Sequence, residues 1–178
     1  MAAKFIRSQF RTLPVPTHSF AGQTVFVTGA KVGLGFEAVQ HFVRLGANKV
    51  ILACRSVEKG KAAVDKIEKA TKRKNVCEVW QVDMGDWGSI KAFANRAGSL
   101  DRVDAVVENA GVGSSTYKEV AGMEATIAIN VVGTFLLALN LLPILRSSGR
   151  KHNTISRLSV VTSGAHGFVS TQLSMLHY

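Results

Sequence analysis

The sequence is poor in cysteine, proline and tyrosine, with two, three and two of these residues among 178. Cys54 and Cys77 have no metal-ligand spacing, and both lie in apolar, strand-like runs. We therefore expect buried, reduced thiols of an intracellular protein rather than a zinc site or a disulfide framework. The 47% hydrophobic content argues against disorder, and the length suffices for one domain with a core.

Long apolar runs are also missing. A membrane helix needs roughly 18–20 predominantly apolar residues, and no uninterrupted apolar run in the sequence approaches that length. The best candidate, Phe135–Leu145, contains Asn140 and Pro143. It is more typical of a buried helix, so we expect no membrane span.

Acidic residues are few, with 12 Asp and Glu against 22 Lys and Arg and a net charge of +10. A basic chain can bind nucleic acid or anionic membranes. Much of the charge belongs to one predicted helical segment and its end: Lys59, Lys61, Lys66, Lys69, Lys72, Arg73 and Lys74. A solvated helix face with a basic last turn explains it. No aromatic residues interleave for base stacking, so we expect no nucleic-acid partner.

The N-terminal segment Met1–Phe20 is basic, free of acids and without the long apolar core of a secretory signal. We expect residues 1–20 to form an extended arm and residues 21–178 to form one domain. A cytoplasmic location is expected, and mitochondrial targeting by the basic N-terminus stays open.

Apolar strands alternate with amphipathic helices along the rest of the chain. The predicted strands are Thr24–Thr28, Lys49–Ala53, Val76–Val82, Val103–Val107 and Arg157–Thr162. The predicted helices are Gly33–Leu45, Val57–Lys72, a helix capped by Asp86 and running to about Ala97, and Gly122–Leu145. This alternation predicts an α/β fold, a Rossmann-type doubly wound parallel sheet of five strands in the order 3-2-1-4-5.

A glycine-rich turn, Thr28–Gly35, lies between the first predicted strand and the first predicted helix. Backbone N–H groups converge at a helix N-terminus and bind pyrophosphate there. A Cβ would obstruct the tight turn or the approach of the phosphate, which favours glycine. The turn therefore predicts a nicotinamide dinucleotide site. Its predicted contacts are Thr28, Gly29, Lys31, Gly33, Leu34 and Gly35. A tight turn without a ligand is the alternative.

Arg55 follows the second strand, about twenty residues beyond the turn, where a ribose-reading side chain is expected. An acidic residue there would favour NAD, whereas this chain has Cys54 and then Arg55. A guanidinium pairs well with a 2′-phosphate, and Lys31 could add a second positive charge. We therefore expect NADP(H) in preference to NAD(H). An ordinary surface arginine is the alternative for Arg55.

Several motifs together resemble the short-chain dehydrogenase/reductase family. The glycine turn matches its T-G-x-x-x-G-x-G pattern, and Asn109-Ala110-Gly111 after the fourth strand matches its N-A-G signature. The segment Ile51–Arg55 resembles the corresponding sequence of the family's NADP-preferring, retinol-dehydrogenase-like branch. The further cofactor contacts that the resemblance implies are Asp83, Met84, Asn109, Ala110 and Gly111. Glu108 departs from the pattern, since the family often has another asparagine there.

The family's catalytic set is an asparagine, a serine, a tyrosine and a lysine. Asn130 in the long helix and Ser163 after the fifth strand match the asparagine and the serine. The other two belong to a Tyr-x-x-x-Lys motif, and the sequence stops at Tyr178. We therefore expect a C-terminally truncated member that lacks the family's last strands. Tyr117 lies before the serine, in the wrong element.

The resemblance implies an oxidoreductase that transfers a hydride between NADP(H) and a small-molecule carbonyl or alcohol. Weak or absent activity is expected of this chain by itself. A module that binds NADP(H) without turnover and an unstable truncated product are the alternatives. The helix Gly122–Leu145 resembles one that pairs at family dimer interfaces, which makes a homodimer a further expectation.

Overall fold

The computed structural model describes residues 10, 12 and 14–163. The strands are β1 (Thr24–Thr28), β2 (Lys49–Cys54), β3 (Cys77–Gln81), β4 (Ala105–Glu108), β5 (Glu119–Val120), β6 (Met123–Glu124) and β7 (Arg157–Val160). The helices are α1 (Gly33–Arg44), α2 (Val57–Thr71), α3 (Trp87–Gly98) and α4 (Ala125–Lys151).

Five strands form one parallel sheet in the order β3-β2-β1-β4-β7. Because β7 is the fifth predicted strand, this confirms the predicted Rossmann-type order. All five strands run in one direction, so their carboxyl ends meet at a single edge of the sheet. In such sheets that edge, where the strand order reverses, is where ligands bind.

Helices cover both faces of the sheet. β1 is buried at every residue, with Val25 and Val27 facing α1 and α2 and Phe26 facing α3 and α4. On the α3 and α4 side, Phe26, Trp80 and Phe93 pack ring against ring, with centroids 5.7 Å apart in each pair. Burial on both faces explains why the central strands lack the apolar–polar alternation of half-exposed strands.

Helices α2, α3 and α4 begin with a side-chain cap, whereas α1 does not. Ser56 accepts a hydrogen bond from the Lys59 amide at the start of α2. Asp86 accepts from the Gly88 and Ser89 amides at the start of α3, as predicted. The residue before α1, Val32, offers no such bond, and the first turn of α1 has no acidic residue. The first N–H groups of α1 are therefore left for another acceptor.

The long helix differs from the predicted Gly122–Leu145. Glu119–Val120 and Met123–Glu124 instead form a short antiparallel hairpin, turned through Ala121 and Gly122 at φ values of 52° and 79°. Helix α4 begins at Ala125, and the Glu124 carboxylate accepts hydrogen bonds from the Thr126 and Ile127 amides. Within it, Ala128–Gly133 is π-helical. Such wide turns are rare and occur mostly at functional sites.

Helix α4 is long and apolar enough to cross a membrane, the one helix of that kind in the described part of the chain. The sequence has no uninterrupted apolar run of that length, but a helix can reach the required length and mean hydropathy with scattered polar residues. The finding is weak evidence for a span. Leu137, Leu141 and Leu145 of α4 are buried against the sheet in the core shared with α3, as in a core helix of an α/β domain.

Asp104, just before β4, ties two strands together. Its carboxylate is 4% exposed and accepts a hydrogen bond from the Thr24 amide at 2.8 Å. The Arg102 guanidinium donates to the same carboxylate at 2.8 and 2.9 Å. The start of β1 is therefore anchored to the start of β4 by a charged acceptor.

We predict that Asp104→Asn lowers the free energy of unfolding by about 2 kcal/mol, because it removes the charged partner of the half-buried Arg102 guanidinium and weakens the acceptor of the Thr24 amide. Urea denaturation followed by circular dichroism measures the change. Asp65→Asn on the exposed side of α2 is the control, expected to stay within about 0.5 kcal/mol of the parent. Equal midpoints for the two variants would contradict the role of Asp104.

Candidate cofactor-binding site

A cleft of about 310 Å³ opens at the carboxyl edge of the sheet. It lies where the glycine turn, the end of β2 and the segments after β3 and β4 converge. Its lining residues are Gly29, Lys31, Val32, Ala53, Cys54, Arg55, Val82, Asp83, Met84, Asn109, Ala110, Gly111, Val112 and Ile129. Eight of the predicted cofactor residues are thus brought together: Gly29, Lys31, Arg55, Asp83, Met84, Asn109, Ala110 and Gly111.

Asn109 joins the turn after β4 to the end of β1. Its side-chain Nδ2 donates to the Thr28 carbonyl at 3.0 Å. The Asn109 and Ala110 amides both donate to the Thr28 hydroxyl at 2.9 Å. We call this set of three hydrogen bonds the Asn109 latch. The predicted site residues Thr28 and Asn109 therefore hold each other, and Thr28 lies beneath the cleft rather than in its lining.

Two glycines make room for the latch. A Cβ on Gly35 would lie 2.5 Å from Asn109 Nδ2 and 2.9 Å from the Gly29 carbonyl oxygen. A Cβ on Gly29 would lie 2.9 Å from the Ala110 Cα, and Gly29 also has a φ of +67°. All three distances are shorter than real Cβ contacts. The spacing of these glycines is thus required by packing of the protein against itself, in addition to the approach of a ligand.

Gly33 is different, since a Cβ there would meet nothing within 4 Å, and its φ of +63° is the left-handed conformation that glycine favours. It opens α1, and Leu34 beside it is 75% exposed. Neither residue lines the cleft. Their predicted contacts with a cofactor would come from backbone amides at the uncapped start of α1.

Two cationic residues, Lys31 and Arg55, line the cleft. Arg55 follows β2, and Gln81 at the end of β3 donates a side-chain hydrogen bond to its carbonyl at 3.3 Å. Lys31 projects from the glycine turn and is close enough to Cys54 to lower the pKa of the thiol, although burial raises that pKa by more. Cys54 thus keeps its proton at neutral pH and presents no negative charge to a ligand. Both cysteines are free, Cys54 buried and Cys77 half-buried.

The segment after β3 contributes the opposite wall. The Asp83 carboxylate accepts a hydrogen bond from the Gly85 amide at 2.9 Å. The Asp83 amide donates a hydrogen bond to the Ser89 hydroxyl oxygen, also at 2.9 Å. Met84 is 5% exposed and forms part of the apolar core below the cleft. Asp83 and Met84 therefore lie at the cleft wall, and their predicted contact with a cofactor stays a prediction.

Asn130 lies in the π-helical part of α4 and holds the segment after Gly111. Its Oδ1 accepts from the Val112 amide and its Nδ2 donates to the Val112 carbonyl, both at 2.8 Å. Both polar atoms of the side-chain amide thus bond to the backbone of one residue. The geometry makes Asn130 a positioning group for the wall of the cleft, and its predicted catalytic role stays a prediction.

Ser163 follows β7 at the same carboxyl edge of the sheet and is exposed. Neither Ser163 nor Asn130 lines the cleft. Tyr178 lies outside the described residues. Tyr117 is 74% exposed in the loop before the β5–β6 hairpin.

Part of the lining was not predicted as site residues. These positions are Val32, Ala53, Cys54, Val82, Val112 and Ile129. Most are apolar residues at or just beyond strand ends, and apolar character alone cannot separate a cleft wall from a core. Their position near strand ends was the only feature of the sequence that could have marked them as site residues.

Residues 23–170 match the family model of short chain dehydrogenases, so the chain belongs to that family. It is 43% identical over 163 residues to the short chain dehydrogenase FGM9 of Gibberella zeae, covering 91% of this chain and 48% of that one. It is 44% identical over 169 residues to the short chain dehydrogenase atnD of Emericella nidulans, covering 95% and 54%. The chain thus spans about half the length of the curated relatives it matches.

A solved structure supports the fold. The NADP active-site complex of RhlG from Pseudomonas aeruginosa is similar, with a TM-score of 0.71 at 25% sequence identity. The likeness covers 88% of this chain and 58% of RhlG. A short-chain dehydrogenase fold and an oxidoreductase family are therefore shown for this chain.

We predict that Gly35→Ala lowers the free energy of unfolding by about 1–3 kcal/mol, because its methyl group would displace the side chain of Asn109. Thermal and urea denaturation measure the loss. Gly98→Ala is the matched control, because its Cβ would only touch Ile144 at an ordinary 3.7 Å. A Gly35→Ala protein as stable as the control would show that the latch can shift freely.

Proposed function

We propose that this chain binds NADP(H) in the cleft, as the cofactor-binding portion of a short-chain dehydrogenase/reductase. The carrying observation is that the cleft unites the glycine turn with Lys31 and Arg55 beside a helix that has no side-chain cap. Free amides at a helix start and two cations suit a dinucleotide with an additional phosphate. The similar RhlG structure, an NADP complex, supports the same cofactor.

The residues of the cleft fit the parts of that cofactor. The start of α1 would receive the pyrophosphate. Arg55 and Lys31 would pair with the 2′-phosphate, and no carboxylate stands beside Arg55 at the end of β2 to favour a free 2′-hydroxyl. Val82, Met84 and Ile129 provide apolar contact for a nucleobase. NADP(H) is therefore the proposed cofactor in preference to NAD(H).

For the whole protein we propose reduction of a carbonyl or oxidation of an alcohol. NADP(H), when bound, supplies or accepts the hydride. Ser163 would hold the substrate oxygen by a hydrogen bond, as the matching family serine does. Asn130 would keep the Val112 segment in place at the edge of the cleft. The substrate is a small molecule of this class.

Isothermal titration of NADPH into the folded 178-residue protein tests cofactor binding. We expect saturable binding with one site per chain. Failure of a cooperatively folded sample to bind NADPH would contradict the proposal. Oxidation of NADPH in the presence of aldehydes and ketones then separates an enzyme from a module that binds without turnover.

We predict that Arg55→Ala weakens NADPH binding about tenfold and changes NADH binding by less than about threefold. The reason is the loss of a charge-assisted contact, worth about 1.4 kcal/mol at an exposed position, to a phosphate that NADH lacks. Titration calorimetry at one ionic strength gives both ratios. Arg150→Ala, an exposed arginine in the last turn of α4, is the control. Equal losses for NADPH and NADH would remove Arg55 from the 2′-phosphate site.

We also propose a homodimer through the outer face of α4. Ile127, Val131, Phe135 and Leu139 recur at every fourth residue and are 44–64% exposed. This spacing places four apolar side chains on one stripe of the helix, and a second copy of the same helix would cover it.

The double variant Phe135→Lys/Leu139→Lys is expected to halve the mass measured by light scattering, because the lysines would place like charges opposite each other across a two-fold axis. Ile155→Lys, at a 76% exposed apolar position outside α4, is the control and should leave the mass unchanged. A parent protein that already has the mass of one chain would overturn the dimer.

A further inference from the structure

Glu108 is a buried carboxyl group that the proposed site does not use. It ends β4, and it is 2% exposed. Neither carboxylate oxygen makes a hydrogen bond within the described part of the chain. By strand alternation its side chain lies on the same face as Val106, which packs in the core beneath α3 and α4.

Among the described residues, no cation compensates for this burial. β1 has no charged residue, and the charged residue of β7, Arg157, is in register with Ala105 rather than with Glu108. On α3, Lys91 is exposed and Arg96 stacks on the Trp80 ring. α4 carries no charge before Arg146, beyond the core leucines. Burial alone raises the pKa of the Glu108 carboxyl to about 8.

Glu108 is joined directly to the part of the chain that shapes the cleft. Its carbonyl accepts a hydrogen bond from the Val161 amide at 2.8 Å, which fixes its backbone to β7. The next residue is Asn109, whose amide and side chain form the latch to Thr28. The buried carboxyl therefore belongs to the residue next to Asn109, whose latch packs against Gly29 and Gly35.

We propose that Glu108 is a positioning residue for the cofactor cleft, which holds the Asn109 latch closed while its carboxyl is neutral and releases it when the proton is lost. A buried carboxylate without a cation or a hydrogen-bond donor is driven toward water. The peptide group between Glu108 and Asn109 carries both the carbonyl that accepts from Val161 and the N–H that donates to Thr28, so a shift of Glu108 strains the latch. The inference rests on the proposed NADP(H) function.

The direction of the pH dependence follows from linkage. An acid whose pKa is raised on folding keeps its proton in the folded state while the unfolded chain loses it, so its ionisation opposes folding increasingly from about pH 4.5 to about pH 8. Above that range the folded protein is ionised, and binding of NADP(H) to the closed cleft takes up one proton. The dissociation constant should then rise by up to tenfold for each pH unit.

The first test is titration of NADPH between pH 7 and pH 9.5 into the parent protein and Glu108→Gln. We expect the parent affinity to fall above about pH 8 and the affinity of Glu108→Gln to fall less. At pH 9.5 the two dissociation constants should differ by about tenfold. Glu119→Gln, an exposed glutamate of the hairpin, is the control and should follow the parent. The other residues of the cleft, including Cys54 and Lys31, are the same in all three proteins, so the difference isolates Glu108. Identical profiles for parent and Glu108→Gln overturn the inference while leaving cofactor binding in place.

The second test reads the latch without a cofactor. Hydrogen exchange gives protection factors for the Gly29, Asn109 and Ala110 amides, which are all hydrogen-bonded. We expect protection to fall from pH 7 to pH 9.5 in the parent and to stay constant in Glu108→Gln. If neither the parent nor the variant binds NADPH at any pH, the proposed function fails. Independently of that result, protection that stays constant with pH in both proteins overturns the positioning role of Glu108. Glu108→Met, which also cannot ionise, replaces the glutamine variant if that variant fails to fold.

Discussion

The hydrogen bonds between Asn109 and Thr28 are the constraint on which the carboxyl edge of the sheet depends. They join two adjacent strands whose residues lie 81 positions apart in the chain. They close only because Gly29 and Gly35 have no Cβ, which would collide with Ala110 and with Asn109 Nδ2. The glycine turn, the start of α1 and the N-A-G segment thus form one packed unit, with the cleft as its outer surface.

The other elements support this unit in ways that follow from simple physical needs. The carboxylate of Asp104 anchors the opposite ends of the same two strands. Gly133 in the π-helical turn lets α4 come into van der Waals contact with the Met84 carbonyl, where any Cβ would collide. The wide turn also directs Asn130 to the Val112 backbone. The walls of the cleft are therefore fixed by side chains that themselves satisfy backbone groups.

The sequence was informative wherever a local pattern has a single structural meaning. Five apolar runs became the five sheet strands in the predicted order, and Asp86 capped α3 as expected. The start of α4 was wrong because Glu119–Glu124 folds into a hairpin, and the choice between a hairpin and a helical turn depends on local φ values that Ala121 and Gly122 adopt in context. The π-helical turn gave no sequence signal.

The sequence by itself determined where the glycine turn, the N-A-G signature and Arg55 lie, because each directly follows a strand that its own apolar run identifies. Only the tertiary structure decided what those residues contact. It directed the amide groups of Asn109 and Asn130 to backbone partners, and it buried Glu108 away from any cation among the described residues. The physical reason is that strand and turn preferences are local, whereas hydrogen-bond partners and burial come from segments brought together by the sheet.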